Sequence, residues 1–139
     1  MVSKKVYIAS DEFIAFMDRA HPKHVQASAY FRYFAQENYQ LYSTILSINE
    51  TYTSVYNTIS PSLARDFLRV LALSSVNIIY PEPADMKTAI RTLESSNSVD
   101  LTFTKAIMAT VCNRKSIPQI ATFEYLHALF GLQLFYLPM

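Results

Sequence analysis

Residues 117–124 read Ile-Pro-Gln-Ile-Ala-Thr-Phe-Glu, and they decide how the rest of the chain is interpreted. Residues 119–123 are rich in aliphatic and aromatic side chains, which predicts a short β-strand. This strand runs directly into the carboxylate of Glu124. After Gly131, the only glycine of the chain, residues 132–136 predict another strand. The C-terminal part is therefore predicted to contain two short strands, the first of which ends in an acid.

Three further strand-like runs precede this region, over residues 5–8, 40–44 and 76–80. The segments between them place apolar residues three or four positions apart, which is the spacing of an amphipathic helix. Ser60-Pro61 and Pro83 mark two helix starts, because proline is favoured at the first helical position. The apolar faces are formed by Ala27, Tyr30, Phe31 and Phe34, by Ile48, Tyr52, Val55 and Ile59, by Leu63, Phe67, Val70 and Leu71, and by Met86, Ile90 and Leu93.

Strands that alternate with helices favour right-handed crossovers and a parallel sheet covered on both faces. The predicted fold is therefore an α/β three-layer αβα sandwich with a central parallel sheet of about five strands. A length of 139 residues and a hydrophobic fraction of 51% are enough for one full core. Because the sequence has no internal repeat and no linker, we expect a single domain over residues 1–139.

The composition excludes several kinds of site. A G-x-G-x-x-G turn or a phosphate loop needs several glycines, and the chain has one. A Gly-x-Ser-x-Gly nucleophile turn is absent, and the histidines have no Cys or His partner at the spacing of a zinc site. The single cysteine, Cys112, is expected to be a small buried side chain without a chemical role.

Charge and hydropathy limit the partners and the compartment. A net charge of +1 provides no general basic field, so nucleic-acid contact would depend on local clusters such as Lys4-Lys5 or Arg114-Lys115. The sequence contains neither the roughly 18 apolar residues of a membrane span nor a secretory signal after Lys4-Lys5. We therefore expect a cytoplasmic protein that does not contact membranes.

Two acids are predicted to converge at one edge of the sheet. Asp11 follows the first predicted strand, and Glu124 ends the fourth. Ligands of an open parallel sheet collect beyond the carboxyl ends of its strands. Magnesium and manganese prefer oxygen ligands, and metal-assisted phosphodiester hydrolysis needs several carboxylates together.

These segments together resemble PIN-domain ribonucleases of the VapC toxin type. Val6-Tyr7-Ile8, followed by Ala9-Ser10-Asp11 and Phe13-Ile14-Ala15-Phe16, is similar to the opening strand and helix of that family. Residues 44–50, Thr-Ile-Leu-Ser-Ile-Asn-Glu, are similar to its segment with a glutamate on a helix. Leu101-Thr102-Phe103-Thr104-Lys105-Ala106 matches its segment with a third acid, and Thr122-Phe123-Glu124 stands where the family has Thr-Phe-Asp.

The resemblance implies a strand order of 3-2-1-4-5 and a magnesium- or manganese-dependent endoribonuclease, in which metal-bound water attacks the RNA phosphodiester. It implies catalytic roles for Asp11, Glu50, Asp100 and Glu124. Of these, Asp11, Glu50 and Glu124 would be the metal ligands.

Two positions depart from the family pattern. Ala9 and Lys105 stand where the family has acids. The ammonium of Lys105 can pair with Glu50 or Glu124 and repels a divalent cation. We therefore expect weak or lost hydrolysis, and with it weak or absent metal binding.

Each acid also has a simpler interpretation. Asp11 or the adjacent Ser10 can cap the first helix. The helical spacing alone predicts a solvent-facing Glu50. Asp100 can cap the helix that begins near Thr102.

Two functions follow from the resemblance. The first is a VapC-like ribonuclease toxin with impaired activity. The second is a catalytically silent PIN-fold module that binds RNA or a protein partner such as an antitoxin. A receiver-like regulatory domain is excluded because residues 80–82, at the end of the third strand, lack the phosphoacceptor aspartate. The ten tyrosines predict a homodimer, with aromatic helices over residues 30–34 and 52–56 as its surface.

Overall fold

The computed structural model describes residues 3–96, 101–124 and 132–137. Its strands are β1 (Lys5–Ile8), β2 (Gln40–Thr44), β3 (Asn77–Ile79), β4 (Gln119–Ala121) and β5 (Gln133–Leu134). Its helices are α1 (Ser10–Met17), α2 (His24–Gln36), α3 (Ile45–Thr58), α4 (Pro61–Leu73), α5 (Pro83–Ser95) and α6 (Phe103–Lys115). The strands form one sheet in the order β3-β2-β1-β4-β5, and every neighbouring pair is parallel. The predicted α/β fold is confirmed, and so is the strand order.

Strand β1 lies at the centre of the sheet, between β2 and β4. Its side chains alternate between two hydrophobic cores, as in any strand. Val6 and Ile8 face the core formed with α1, α2 and α4, whereas Tyr7 faces the core formed with α5 and α6. All three side chains are fully buried. Helices therefore cover both faces, as a parallel sheet requires.

The hydroxyl of Tyr7 joins three elements near the carboxyl edge. It shares hydrogen bonds with Thr44 Oγ1 at 2.8 Å and with Ser47 Oγ at 2.6 Å. Thr44 is also the N-cap of α3 and accepts from the Ser47 amide. Burial raises the pKa of Tyr7, so the phenol remains neutral and can hydrogen-bond both hydroxyls. This network fixes the start of α3, the helix that carries Glu50.

Helix starts follow the local sequence. Ser60 and Thr102 accept hydrogen bonds from the amides of Leu63 and Lys105, so both are N-caps by side chain. Pro61 and Pro83 occupy the first turns of α4 and α5, as predicted.

The structure corrects several details of the sequence interpretation. Strands β3 and β5 cover residues 77–79 and 133–134, so they are shorter than the predicted 76–80 and 132–136. Strand β4 ends at Ala121, two residues before the predicted end, because Thr122 and Phe123 direct hydrogen bonds to Asp11. The aromatic residues of α2 are not a surface: Tyr30 and Phe34 are only 4% and 1% exposed. Both rings pack against Phe135, which lies next to β5, because the core on this face needs their volume. No helix within the described residues is long and apolar enough to cross a membrane.

An ion pair fixes α5 against α6. The side chain of Asp85 is 4% exposed and accepts hydrogen bonds from Arg114 Nε at 2.9 Å and Nη2 at 2.7 Å. Asp85 also accepts from the Glu82 amide in a capping box at the start of α5. The Arg114 guanidinium, more than the capping bond, holds the pKa of Asp85 below its usual range.

We expect Asp85→Ala to lower the free energy of unfolding by about 2–4 kcal/mol, because it leaves a guanidinium unpaired and removes a cap. Asp66→Ala is the matched control, since the Asp66–Arg69 pair is solvent-exposed. This control substitution should lower the free energy of unfolding by less than about 1 kcal/mol. Urea denaturation measures both; equal losses would contradict a specific role for the Asp85–Arg114 pair.

Candidate active site

The carboxyl edge of the sheet contains a small cleft between α1, α3, α6 and the end of β4. We call it the edge cleft. Its free space is about 40 Å³, close to the share of one water molecule in liquid water. It is lined by Ala9, Ser10, Asp11, Ser47, Glu50, Thr104, Lys105, Met108, Thr122 and Glu124. The predicted residues Asp11, Glu50 and Glu124 thus lie together. Ala9 and Lys105, which depart from the family pattern, lie beside them.

Asp11 joins α1 to the end of β4. Its carboxylate accepts hydrogen bonds from Thr122 Oγ1 at 2.8 Å and from the Phe123 amide at 2.7 Å. It also accepts from the neighbouring Glu12 amide at 3.0 Å. Burial raises the pKa of Asp11, and these hydrogen bonds oppose that shift. Ala9 occupies the N-cap position of α1. Asp11 nevertheless accepts from the Glu12 amide of the first turn, so the expected capping interaction of Asp11 is present in part.

Lys105 and Glu124 form an ion pair across the cleft. Lys105 Nζ lies 2.8 Å from Glu124 Oε2. The lysine side chain is 26% exposed and that of the glutamate 53%, so the pair is only partly shielded from water. The lysine approaches from the first turn of α6, whose start is set by the Thr102 cap. The prediction that Lys105 pairs with a cleft acid is confirmed.

Glu50 reaches the same cleft from α3. Its Oε1 accepts a short hydrogen bond from Ser10 Oγ, although the residue remains exposed to solvent. The resemblance places Glu50 in the cleft, and the helical spacing places it toward solvent. Both predictions hold in part, because Glu50 lies at the open end of the cleft and remains exposed. Asp100, the fourth predicted acid, lies outside the described residues.

The described residues of the cleft do not fit a divalent metal ion. Across residues 3–96, 101–124 and 132–137, no three His, Cys, Asp or Glu side chains are grouped so that they could hold one. The physical reasons are local. Asp11 is hydrogen-bonded to the β4 end, Glu124 is paired with an ammonium, and Ala9 offers no oxygen from its side chain. A divalent cation needs several carboxylate ligands, and here hydrogen bonds or an ion pair within the protein already engage these carboxylates.

Sequence reasoning missed one acid. Glu12 is fully buried, and neither of its carboxylate oxygens has a hydrogen-bond partner in the structure. Burial raises its pKa to about 8, with a smaller contribution from the charge of Asp11. The available signal was its position, since Glu12 precedes Phe16 by four residues and thus lies on the apolar face of α1.

Glu12 should make stability fall as pH rises. Its folded-state pKa exceeds its ordinary value of 4.5, so the folded protein binds more protons than the unfolded chain between about pH 4.5 and 8. The contribution of Glu12 to the free energy of unfolding is fully present below about pH 4.5 and is lost as the pH rises to about 8. We expect Glu12→Gln to unfold at the same denaturant concentration as wild type near pH 5 and to be more stable by about 2–4 kcal/mol near pH 9.

Guanidinium titrations at several pH values measure this difference. Glu94→Gln, on the exposed surface of α5, is the control and should keep the wild-type pH dependence. Parallel pH profiles for wild type and Glu12→Gln would contradict the assignment.

Comparison with known proteins supports the fold and leaves the family open. The chain matches no model of a known protein family, and no curated protein matches it. Solved structures do match. One is VapC20 of Mycobacterium tuberculosis, a toxin that cleaves the sarcin-ricin loop, with a TM-score of 0.76 and 16% identity over 86% of this chain and 89% of that one.

Another is VapBC2 of Rickettsia felis, solved with a DNA fragment from the promoter of its own genes. It has a TM-score of 0.72 and 11% identity over 94% of this chain and 96% of that one. At such low identity the likeness establishes the fold alone. The chain has the PIN fold that VapC toxins share.

Proposed function

We propose that this chain is a VapC-like PIN-domain protein, related to metal-dependent endoribonuclease toxins, that binds RNA and whose hydrolytic activity is weak or lost. The Lys105–Glu124 ion pair carries this proposal. The PIN fold and the convergence of three predicted acids support the relationship. The lysine that pairs with one of those acids supports the impairment.

Lys105 and Ala9 together explain why the cleft would bind magnesium or manganese weakly. An ammonium close to the place where a cation would sit repels it, and the displacement of Lys105 from Glu124 would cost the ion pair as well. Ala9 removes an oxygen ligand at the end of a rigid strand. Either change weakens a metal site, and both together leave the hydrolysis of RNA without its usual means of activating water.

A protein partner is the second candidate function, favoured by an apolar groove on the opposite side of α1. Its free volume is about 180 Å³, and the surface that lines it is apolar. Phe13, Phe31 and Phe67 lie within it, and Val70 at its side is 46% exposed. The similar VapBC2 structure, which is bound to promoter DNA, supports an antitoxin-like partner for this chain. A silent module that holds an antitoxin-like segment in this groove would need no metal.

Restoring two acids should restore metal binding. Ala9→Asp and Lys105→Asp together change the formal charge of the cleft by about −3, one unit from the first and two from the second. We expect calorimetry to show at least about tenfold tighter manganese binding by the double variant than by wild type, and metal-dependent cleavage of RNA only in the double variant.

Lys87→Asp makes the charge change of Lys105→Asp, about −2, on the exposed surface of α5 and is the matched control. It should leave manganese affinity unchanged. Equal affinities of wild type and double variant would show that positions 9 and 105 do not belong to the site.

We also propose a homodimer, now through α3 alone, because the α2 aromatics lie in the core. Tyr52 and Tyr56 have ring centroids 5.9 Å apart, and Tyr56 and Ile59 are 44% and 41% exposed. Tyr52 is half-buried, and an exposed tyrosine packed against it beside an exposed aliphatic residue is typical of interfaces. Sedimentation at micromolar concentration should give twice 15.9 kDa, or about 32 kDa, and Tyr56→Lys should give the monomer. A wild-type monomer would overturn the proposal.

A further inference from the structure

A second, larger groove opens directly beside the edge cleft, between α3 and the start of α6. We call it the α3–α6 groove. Its free volume is about 510 Å³, and it is wide open to solvent. It is lined by Leu46, Asn49, Glu50, Thr53, Ser54 and Thr104. Glu50 and Thr104 also line the edge cleft, so the two spaces adjoin.

The lining of this groove is mostly neutral and rich in hydrogen-bonding groups. Asn49, Thr53 and Thr104 bring a carboxamide and two hydroxyls, and within the described part of the chain none of these side chains has a hydrogen-bond partner. Asn49 and Thr53 are exposed and four residues apart on α3, so they stand next to each other on the helix surface. Leu46 adds an apolar contact.

The charges decide which part of an RNA chain suits the groove. Glu50 stands at its junction with the edge cleft, and no lysine or arginine lines it among the described residues. The edge cleft itself carries three carboxylates and one ammonium, a formal charge of about −2. A phosphate would therefore be repelled from both. A nucleobase and a ribose hydroxyl are uncharged, and a carboxamide can pair with the donors and acceptors on a base edge.

We infer that the α3–α6 groove binds an unpaired nucleobase and its ribose from single-stranded RNA, with Asn49 contacting the base edge and Thr53 and Thr104 contacting hydroxyl or base groups. This inference rests on the RNA binding proposed above. It adds that recognition is by base rather than by phosphate. Tyr56 lies seven residues from Asn49 and therefore on the same face of α3, so the dimer surface proposed above borders the groove.

The test is fluorescence anisotropy with four labelled hexaribonucleotides, each of a single base, added to the full chain without metal. We expect wild type to prefer one base by about tenfold over the weakest. Asn49→Ala should reduce that preference to about twofold or less, and Thr53→Val, which removes the hydroxyl at nearly constant shape, should weaken the preferred hexamer about threefold to tenfold. Circular dichroism confirms that the variants are folded.

Asn113→Ala, at an exposed position near the opposite end of α6, is the matched control and should bind like wild type. Two results separate this inference from the proposed function. If wild type binds all four hexamers equally, or if Asn49→Ala keeps the preference, the base site is wrong and RNA binding stands. If wild type binds no hexamer, both the base site and the proposed RNA binding are wrong.

Discussion

Parallel pairing of β1 on both of its edges is the constraint on which the rest of the structure depends. It aligns Tyr7 with Tyr42 on one side and with Ile120 on the other, so the three central strands end at the same edge. Buried parallel strands tolerate no slip in register, because a shift of one residue would exchange the two core faces of β1. The hydrogen bonds of Tyr7 to Thr44 and Ser47 then place the first turn of α3 at that edge. The cleft is a consequence of this alignment, since every element that lines it begins or ends there or is held against it.

The chemistry of the edge is set by how its carboxylates are neutralised. In a metal site, a cation would balance the charges of several acids at once. Here one charge is balanced within the chain, because Lys105 pairs with Glu124. The other two carboxylates accept hydrogen bonds from uncharged donors: Ser10 donates to Glu50, and Thr122 and Phe123 donate to Asp11. These contacts are modest individually, because the ion pair and Glu50 are partly exposed to water. Together they engage both oxygens of Asp11 and one oxygen each of Glu50 and Glu124, and a metal ion would have to compete with them.

The sequence was sufficient for the fold and for the location of the cleft. Short apolar runs and helical spacing identified the strands and helices, because their periods differ so clearly, and the position of Asp11 and Glu124 after predicted parallel strands placed them at one edge. The choice of Glu124 over Glu50 as the partner of Lys105 could not be read from the sequence, since it depends on side-chain directions in three dimensions. The burial of Tyr30 and Phe34 was missed because an aromatic stripe has the same pattern whether it faces a core or a partner. Glu12 was missed because a charged residue is expected to face water, and only the packing of α1 shows otherwise.

The central claim is that the edge cleft is closed to divalent metal by its own lysine. A crystal structure of the wild-type protein soaked in millimolar manganese, with anomalous diffraction to locate the metal, tests it most directly. The account predicts Lys105 Nζ within salt-bridge distance of Glu124 and no anomalous peak among Asp11, Glu50 and Glu124. A manganese peak bound by those carboxylates, with Lys105 turned away into solvent, would contradict it.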